Sequence, residues 1–147
     1  MTEPGYTQPD TSLLGEEHVR RYRETGGEVG YLWNGATTLL LTTKGRKSGL
    51  SRTVPLIFGR RGDDYLVVAS QGGAPTHPGW YHNLLAEPGV TVQVGPDVFG
   101  ARASVATAAE RPRLWSIVTV GWPNYDVYQT RTVRVIPVVV LTPTGDA

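Results

Sequence analysis

Two apolar, strand-like runs lie close together near the middle of the chain, and a short glycine-containing turn joins them. The runs cover residues 37–43 and 53–58, and Gly45 and Gly49 bend the chain between them. Parallel neighbours need a crossover of a dozen or more residues, usually with a helix, and this turn is too short for one. The two runs are therefore predicted to pair as an antiparallel hairpin. Most later connections between apolar runs are also too short for a crossover, which restricts the chain to a largely antiparallel sheet.

The rest of the chain adds short strands and a few helices to this hairpin. Strands are predicted over residues 65–70, 90–94, 98–105 and 133–141, with a turn at 60–64 and with Pro137 at an edge or bulge. Helices are predicted over residues 12–25 with Ser12 as the cap, 80–86, about 107–120 from a capping box, and 124–131. The pattern is typical of a mainly β protein with flanking helices, a small antiparallel barrel. Residues 1–35 are expected to form an N-terminal arm, loose over residues 1–10, and a short helix, and residues 36–147 the barrel domain.

Composition excludes several classes of protein. The chain has no cysteine, so disulfides, thiolate catalysis and iron–sulfur clusters are ruled out. Its net charge of +1 argues against a nucleic-acid partner. Of the three histidines, His77 and His82 lie five residues apart and no carboxylate flanks them at ligand spacing, so no metal site is expected. With no signal peptide and no membrane-spanning run, a cytoplasmic location is expected.

The turn of the central hairpin concentrates basic and hydroxyl groups. Arg46, Lys47, Ser48 and Arg52 offer donors that suit a phosphate or carboxylate. The spacing of a Walker A loop is absent, and a strand follows where that loop needs a helix. From the residues alone, an anion site and an ordinary solvated loop remain equally good interpretations.

A second unusual stretch, residues 70–83, combines glycines with aromatic residues. Gly72 and Gly73 would let the backbone approach a planar ring, and the helix that follows could offer free N–H groups to a phosphate. Trp80 and Tyr81 could wall a pocket or simply belong to the core. No acid, base or nucleophile stands out in the sequence, which favours chemistry supplied by a bound cofactor.

A third segment places Trp122, Tyr125 and Tyr128 on one face of a short helix. This face could be ordinary core. It could equally close a pocket with flat apolar surfaces and hydroxyl donors.

Together these segments resemble the deazaflavin-dependent nitroreductase family of actinobacteria. The resemblance rests on residues 39–52, 67–84, 87–89 and 125–143, in the same order as in the family. It implies a split β-barrel and the deazaflavin coenzyme F420, whose anionic phosphodiester and glutamate tail would suit the basic turn. Family members reduce quinones such as menaquinone, and some activate nitroimidazoles.

The resemblance also implies roles for individual residues. The cofactor would be bound by Arg46, Lys47, Ser48, Arg52, Thr53, Val54, Pro55, Leu56, Ile57, Val68, Ala69, Ser70, Gln71, Gly79, Trp80, Tyr81, His82, Asn83 and Tyr125. The substrate pocket would be shaped by Trp122, Tyr125 and Tyr128. Proton donation would fall to Tyr125, Tyr128 or Ser70.

The resemblance therefore implies an F420H2-dependent oxidoreductase that transfers a hydride to a quinone or nitroaromatic acceptor. Trp122 stands where nitroimidazole-reducing members carry tyrosine, and Gln71 where lysine is common. Because Trp122 is bulkier and lacks the hydroxyl, activation of nitroimidazoles is not expected, and the resemblance leaves the choice among quinone and xenobiotic acceptors open. The alternatives are a non-catalytic F420 carrier and an FMN-dependent enzyme on a related barrel. A homodimer and, at most, peripheral membrane contact are expected.

Overall fold

A computed structural model describes residues 3–144 of the chain. The helices are α1 (Gly15–Thr25), α2 (Gly79–Ala86), α3 (Arg111–Gly121) and α4 (Asn124–Thr130). The strands are β1 (Leu32–Trp33), β2 (Ala36–Lys44), β3 (Ser51–Ile57), β4 (Gly59–Arg61), β5 (Asp64–Val68), β6 (Gly89–Val94), β7 (Asp97–Val105) and β8 (Val138–Pro143). The mainly β architecture with flanking helices is confirmed.

All strand pairs are antiparallel, as the short connections predict. The sheet runs in the order β1-β2-β6-β7-β8-β5-β4, and within residues 3–144 strand β3 pairs only with β2. Strand β3 also lies against β5 without forming a ladder with it. The curled sheet therefore does not close into a complete barrel, because the edge of β3 that faces away from β2 forms no ladder with another described strand.

Alternation along the strands sorts side chains between the inside of the curl and its outer face. Leu39 and Leu41 of β2 point into the interior core, whereas Leu40 between them packs against Val19 and Tyr22 of α1. Strands β5 and β8 divide in the same way between the interior and a second core beneath α3 and α4. Helices α1, α3 and α4 cover the outer face of the sheet, and they pack against every second residue of the strands beneath them.

Several predicted elements agree with the structure. The central hairpin pairs over its whole length, from Thr38 with Ile57 to Lys44 with Ser51. Thr107 and Glu110 form the reciprocal bonds of the predicted capping box, with the Thr107 N–H donating to Glu110 Oε1 at 3.1 Å and the Glu110 N–H to Thr107 Oγ1 at 3.2 Å. Helix α3 nevertheless begins only at Arg111, because residues 108–110 form a turn, so the helix start predicted at about residue 107 is wrong. Helices α2 and α4 and strands β6 and β7 begin and end close to the predicted residues.

Three further predictions of local structure are wrong, and one short strand was not predicted. Helix α1 begins at Gly15, with Leu14 at the N-cap position and no side-chain cap. Ser12, the predicted cap, lies two residues before that position, and its backbone N–H donates to Asp10 Oδ1 at 2.9 Å. The last strand starts at Val138, and residues 133–137 form no strand. Residues 60–64 are only partly a turn because β4 pairs with β5 there, and the two-residue strand β1 gave no recognisable pattern.

Candidate functional site

Two hollows adjoin each other along strand β3 and the turn at residues 70–73. The basic groove has a volume of about 520 Å³ and is lined by Gly45, Arg46, Lys47, Ser48, Arg52, Val54, Gln71, Pro78, Gly79, Trp80 and Asn83. The apolar cavity has a volume of about 210 Å³ and is lined by Leu14, His18, Trp33, Thr38, Pro55, Leu56, Ile57, Val68, Ser70, Gly72, Trp122, Tyr125 and Tyr128. Consecutive residues of β3 and of the turn thus line both hollows.

The basic groove begins at the β2–β3 turn. Arg46, Lys47 and Arg52 are exposed, and within residues 3–144 none of them takes part in a salt bridge. The Ser48 hydroxyl oxygen accepts the Leu50 N–H at 3.1 Å, which leaves its own hydrogen free to donate. The groove therefore presents three positive charges and a hydroxyl donor to an anion.

Asn83 fastens this turn to helix α2. Its Oδ1 accepts the Arg46 N–H at 3.2 Å and Arg46 Nη1–H at 2.9 Å, and its Nδ2 donates to Thr43 Oγ1 at 3.1 Å. Both Asn83 and Thr43 are buried. Asn83 therefore lines the groove, as the resemblance implies, but its amide is largely occupied in positioning Arg46.

The N-terminus of α2 closes the other side of the groove. Pro78 precedes the helix, and no side chain caps its first N–H groups. Because such groups favour anions, they add to the positive potential of the turn. Trp80 reaches the groove while packing in the interior core, so both interpretations of this residue are correct.

The turn at residues 70–73 has an unusual backbone and is held in place by Arg134. Gln71 has φ 44°, which is uncommon for a residue with a Cβ atom. The Arg134 guanidinium donates to the carbonyl oxygens of Ala69 (3.1 Å), Ser70 (2.7 Å) and Ala74 (2.8 Å) and lies 2.9 Å from His77 Nδ1. Sequence reasoning missed this role of Arg134, because its partners lie about 60 residues away in the chain.

His77 packs beside this turn as a neutral imidazole. Burial lowers its pKa, and the charges of Arg134 and His82 lower it further. A neutral Nδ1 accepts from Arg134, whereas a protonated one would face the guanidinium with another positive charge.

Aromatic side chains from α4 and the loop before it form one wall of the apolar cavity. Tyr125 is 5% exposed, and burial together with neighbouring Tyr128 raises its pKa, so its hydroxyl keeps its proton at neutral pH. Trp122 Nε1–H donates to Tyr128 Oη at 3.4 Å, and the rings of Trp122 and Trp33 lie 5.4 Å apart. The predicted substrate residues are therefore brought together.

A second part of the cavity lining comes from the N-terminal part of the chain, where no site residue was predicted. It consists of Leu14, just before α1, His18 of α1, Trp33 of β1 and Thr38 of β2. Trp33 Nε1–H donates to the Leu13 carbonyl oxygen at 2.8 Å.

The predicted loose arm before α1 is tied down at two points. The Thr7 N–H donates to Asn124 Oδ1 at 2.9 Å, and Asn124 Nδ2 donates to the Thr7 carbonyl oxygen at 2.8 Å. Asp10 and Asn34 form a similar pair of bonds, at 2.8 Å and 2.9 Å. The arm therefore links α4 to the end of β1 beside the cavity.

Four predicted cofactor residues line neither hollow. The Thr53 hydroxyl is bonded to Thr42 and to Arg23, at 2.8 Å each. Ala69 is fully buried in the interior core. Tyr81 and His82 lie on the far side of α2, where both rings pack against His77. The remaining predicted site residues all line one hollow or the other.

The residues present fit coenzyme F420. The exposed cations suit a phosphodiester and a glutamate tail, and the apolar cavity suits a flat tricyclic ring. Within residues 3–144, no group of three or more acidic or histidine side chains could hold a metal ion. In the same part of the chain, no helix is long and apolar enough to cross a membrane.

An open antiparallel barrel with this pair of hollows defines a class of split-barrel oxidoreductases. A solved F420H2-dependent reductase shares the fold, with a TM-score of 0.66, 42% identity, and coverage of 71% of this chain and 92% of that one. A second solved structure, a domain-swapped dimer, has a TM-score of 0.70, 37% identity, and coverage of 86% and 94%. The predicted split β-barrel is therefore confirmed.

The chain belongs to the F420H(2)-dependent quinone reductase family, whose model matches residues 14–143. It is 49% identical, over 129 residues, to an F420H(2)-dependent quinone reductase of Mycobacterium tuberculosis, covering 85% of this chain and 87% of the relative. A further relative from that organism, a putative F420H(2)-dependent quinone reductase, is 40% identical over 106 residues, which is 72% of this chain and 89% of that relative. The family confirms coenzyme F420 as the cofactor and an oxidoreductase activity directed at quinones.

Proposed function

We propose that this protein holds coenzyme F420 across strand β3, with the anionic tail in the basic groove and the ring in the apolar cavity, and reduces a quinone stacked beside that ring. The observation that carries the proposal is the meeting of the two hollows at β3. One molecule with a charged tail and a flat apolar ring would fill both. When bound, the reduced cofactor supplies the hydride.

The tail is assigned to the three exposed cations at the end of the central hairpin. Arg46 is held in place by Asn83, so its guanidinium is oriented before a ligand arrives. Lys47 lies on the β2–β3 turn, Arg52 is the second residue of β3, and both are exposed. Preorganised charge costs less side-chain entropy on binding, which supports the turn as the main anchor.

The ring is assigned to the edge of β3. This strand pairs only with β2 within the described residues, so backbone N–H and C=O groups on its other edge have no sheet partner. Pro55, Leu56 and Ile57 bring that edge to the cavity. A polar ring rim could bond these backbone groups while the ring faces remain in apolar surroundings.

The acceptor is assigned to the side of the cavity formed by Trp122, Tyr125 and Tyr128. These side chains offer flat surfaces for stacking and hydroxyl donors for a quinone oxygen. Because the pKa of Tyr125 is raised, its hydroxyl would donate a hydrogen bond rather than exist as a phenolate. Ser70 is buried on the other side and offers a second donor.

The test is steady-state oxidation of F420H2, with menadione as the acceptor. We expect turnover by the wild-type protein, a raised KM for F420H2 in Arg46→Ala, and wild-type kinetics in Arg113→Ala, which removes an exposed cation on α3. Binding of F420 without turnover with any quinone would favour the carrier alternative. Purification with bound FMN and turnover only with FMN would favour the flavin alternative.

We also propose that the chain forms a homodimer, because a solved structure 37% identical to it is a domain-swapped dimer. Light scattering coupled to size-exclusion chromatography should then give twice the mass of 16.0 kDa. A mass of one chain across the working concentration range would contradict this. A cytoplasmic location and peripheral membrane contact stay predictions from the sequence, as does activity toward nitroaromatic compounds.

A further inference from the structure

A third hollow lies where the end of β7, the start of α3 and the segment before β8 meet, and we call it the β7–α3 hollow. Its volume is about 450 Å³, and none of its lining residues lines the basic groove or the apolar cavity. Aliphatic and proline side chains form most of its surface: Val105, Ala106, Ala108, Pro112, Val135 and Pro137. Arg111, His77 and Tyr81 supply the polar part. The proposed cofactor and acceptor leave this hollow without a role.

Arg111 brings a positive charge to the β7–α3 hollow. Its Nε–H and Nη2–H donate to the carbonyl oxygen of Ile136 at 3.0 Å and 2.8 Å, and Nη2–H also donates to Gln129 Oε1 at 3.0 Å. These bonds fix the guanidinium but involve no carboxylate. The nearest carboxylate in the sequence, that of Glu110, pairs with Arg61 at 3.4 Å. Within residues 3–144, Arg111 forms no salt bridge and its Nη1 has no hydrogen-bond partner.

The charge of Arg111 has lost part of its hydration without gaining a counter-charge. Burial lowers its pKa, which means that the surroundings disfavour the cation. The lining of the hollow contains no aspartate or glutamate that could compensate for this. An anion that enters the hollow would therefore relieve an electrostatic cost that the protein alone leaves in place.

His77 offers a second donor to the same hollow. Arg134 Nη1 lies 2.9 Å from Nδ1, and a guanidinium can only donate, so Nδ1 accepts and Nε2 carries the hydrogen of the neutral ring. Nε2 would carry a hydrogen in the protonated ring as well, so this donor does not depend on the charge of the imidazole. Within residues 3–144, Nε2 has no partner, and it is not sealed in the core, because every fully enclosed side-chain nitrogen there has one.

The chemistry of the hollow suits one class of ligand. A carboxylate has two oxygens that can accept from Arg111 and His77, and its negative charge is the one that Arg111 lacks. The aliphatic lining and the ring of Tyr81, which packs 4.7 Å from that of His77, suit an apolar body. A bare inorganic anion would leave this apolar surface uncovered, and a neutral apolar molecule would leave the charge unpaired.

We propose that the β7–α3 hollow is a second binding site, which takes a small carboxylate with an apolar body. The carboxylate accepts from Arg111 Nη1–H and His77 Nε2–H, and the body lies against the aliphatic lining. The site goes beyond the proposed function, because it shares no residue with the two hollows assigned to the cofactor and the acceptor. It can therefore be tested without F420.

Octanoate is the probe, titrated into nitrogen-15-labelled protein without cofactor and followed by NMR. We expect saturable shifts of the backbone amides of Val105, Ala106 and Ala108. Octanamide has the same chain but no charge, so it should bind about tenfold more weakly. Equal affinity for the two probes would overturn the proposal, as would the absence of saturable shifts at millimolar octanoate. Shifts confined to residues that line the apolar cavity would also overturn it.

Two aspartate substitutions in one exposed segment localise the site. Val135 lines the hollow, whereas Val133 is exposed and does not line it. Val135→Asp places a negative charge at the rim and should lower octanoate affinity about tenfold. Val133→Asp changes the net charge equally and should keep the wild-type affinity. Because both valines are exposed, the melting temperature should not change in either variant. Equal octanoate affinities in the two variants would contradict the proposal.

Arg111→Gln tests the guanidinium directly and should also lower octanoate affinity about tenfold. Since Arg111 also holds the Ile136 carbonyl, the valine variants keep the proposal testable if this one does not fold. Oxidised F420, added to saturation, should not displace octanoate, and displacement would show that the probe occupies the cofactor site instead. Failure of the protein to bind F420 would contradict the proposed function but would not affect the octanoate titration.

Discussion

The turn at residues 70–73 lies so close to α4 that position 73 has no room for a side chain. Gly73 has φ +85°, and a Cβ atom there would lie 2.5 Å from the carbonyl oxygen of Tyr128. We predict that Gly73→Ala adds two costs. A left-handed backbone costs about 1–2 kcal/mol for a residue with a Cβ atom. Forcing a methyl group into a packed site costs about 1–3 kcal/mol more.

The expected loss of unfolding free energy is therefore about 2–5 kcal/mol, a large part of the total for a domain of this size. Gly62→Ala is the matched control, because Gly62 has φ +59° but nothing lies within 4 Å of its Cβ position. That variant should lose only the backbone cost of about 1–2 kcal/mol. Urea unfolding curves of both variants, with equal m values, give the comparison.

The same substitution should displace Ser70 and Tyr128, which line the cavity from opposite sides of this contact. We therefore expect Gly73→Ala to lower kcat/KM for menadione, whereas Gly62→Ala, on the β4–β5 turn, leaves it unchanged. Equal stabilities for the two alanine variants would refute the reasoning. They would mean that the turn does not press against α4.

Three further predictions concern residues around the two hollows. Asn83→Ala should weaken F420 binding about tenfold by titration, because the turn loses its anchor: one bond from the charged Arg46 guanidinium, worth about 1.5–3 kcal/mol, and one from the Arg46 backbone N–H. An unchanged Kd would show that the turn is held without Asn83. Tyr125→Phe should keep the wild-type Kd for F420 but lower kcat with menadione, and equal kcat values would remove the hydroxyl from the reaction. The pKa of His77 is lowered in the folded state, so its contribution to stability is fully present above the ordinary histidine pKa and falls as the pH drops below that value. The melting temperature of His77→Gln should therefore fall less between pH 7.5 and pH 5.5 than that of the wild type. Parallel curves of melting temperature against pH would contradict this.

Local pattern was enough to predict most of the sheet. The central hairpin and strands β6 and β7 have alternating or continuous apolar residues and glycine-containing turns, and these signals lie within a few residues of one another. The final strand was predicted too long for the opposite reason. Residues 133–137 look strand-like, but Pro137 has no N–H, and its carbonyl oxygen accepts from Ala69 at 3.0 Å instead of joining a regular ladder.

The site was predictable where one segment supplied several of its residues. The β2–β3 turn and the aromatic face of α4 each supply several neighbouring residues to the site, so a short sequence motif was enough to identify each of them. The wall formed by α1 and β1 was missed, because His18 and Trp33 acquire their place only through packing against β2. Tyr81 and His82 were predicted to bind the cofactor because they belong to a matching motif. Their positions on α2 instead direct both rings toward His77 and away from the two hollows.

The central claim is that one F420 molecule occupies both the basic groove and the apolar cavity. Titration of the protein with oxidised F420, followed by tryptophan quenching, tests it most directly, because Trp80 lines the groove and Trp33 and Trp122 line the cavity. We predict micromolar binding of F420, much weaker binding of FMN, and a large loss of F420 affinity in the double variant Lys47→Ala/Arg52→Ala. Equal affinity for FMN, or wild-type F420 affinity in the double variant, would contradict the account.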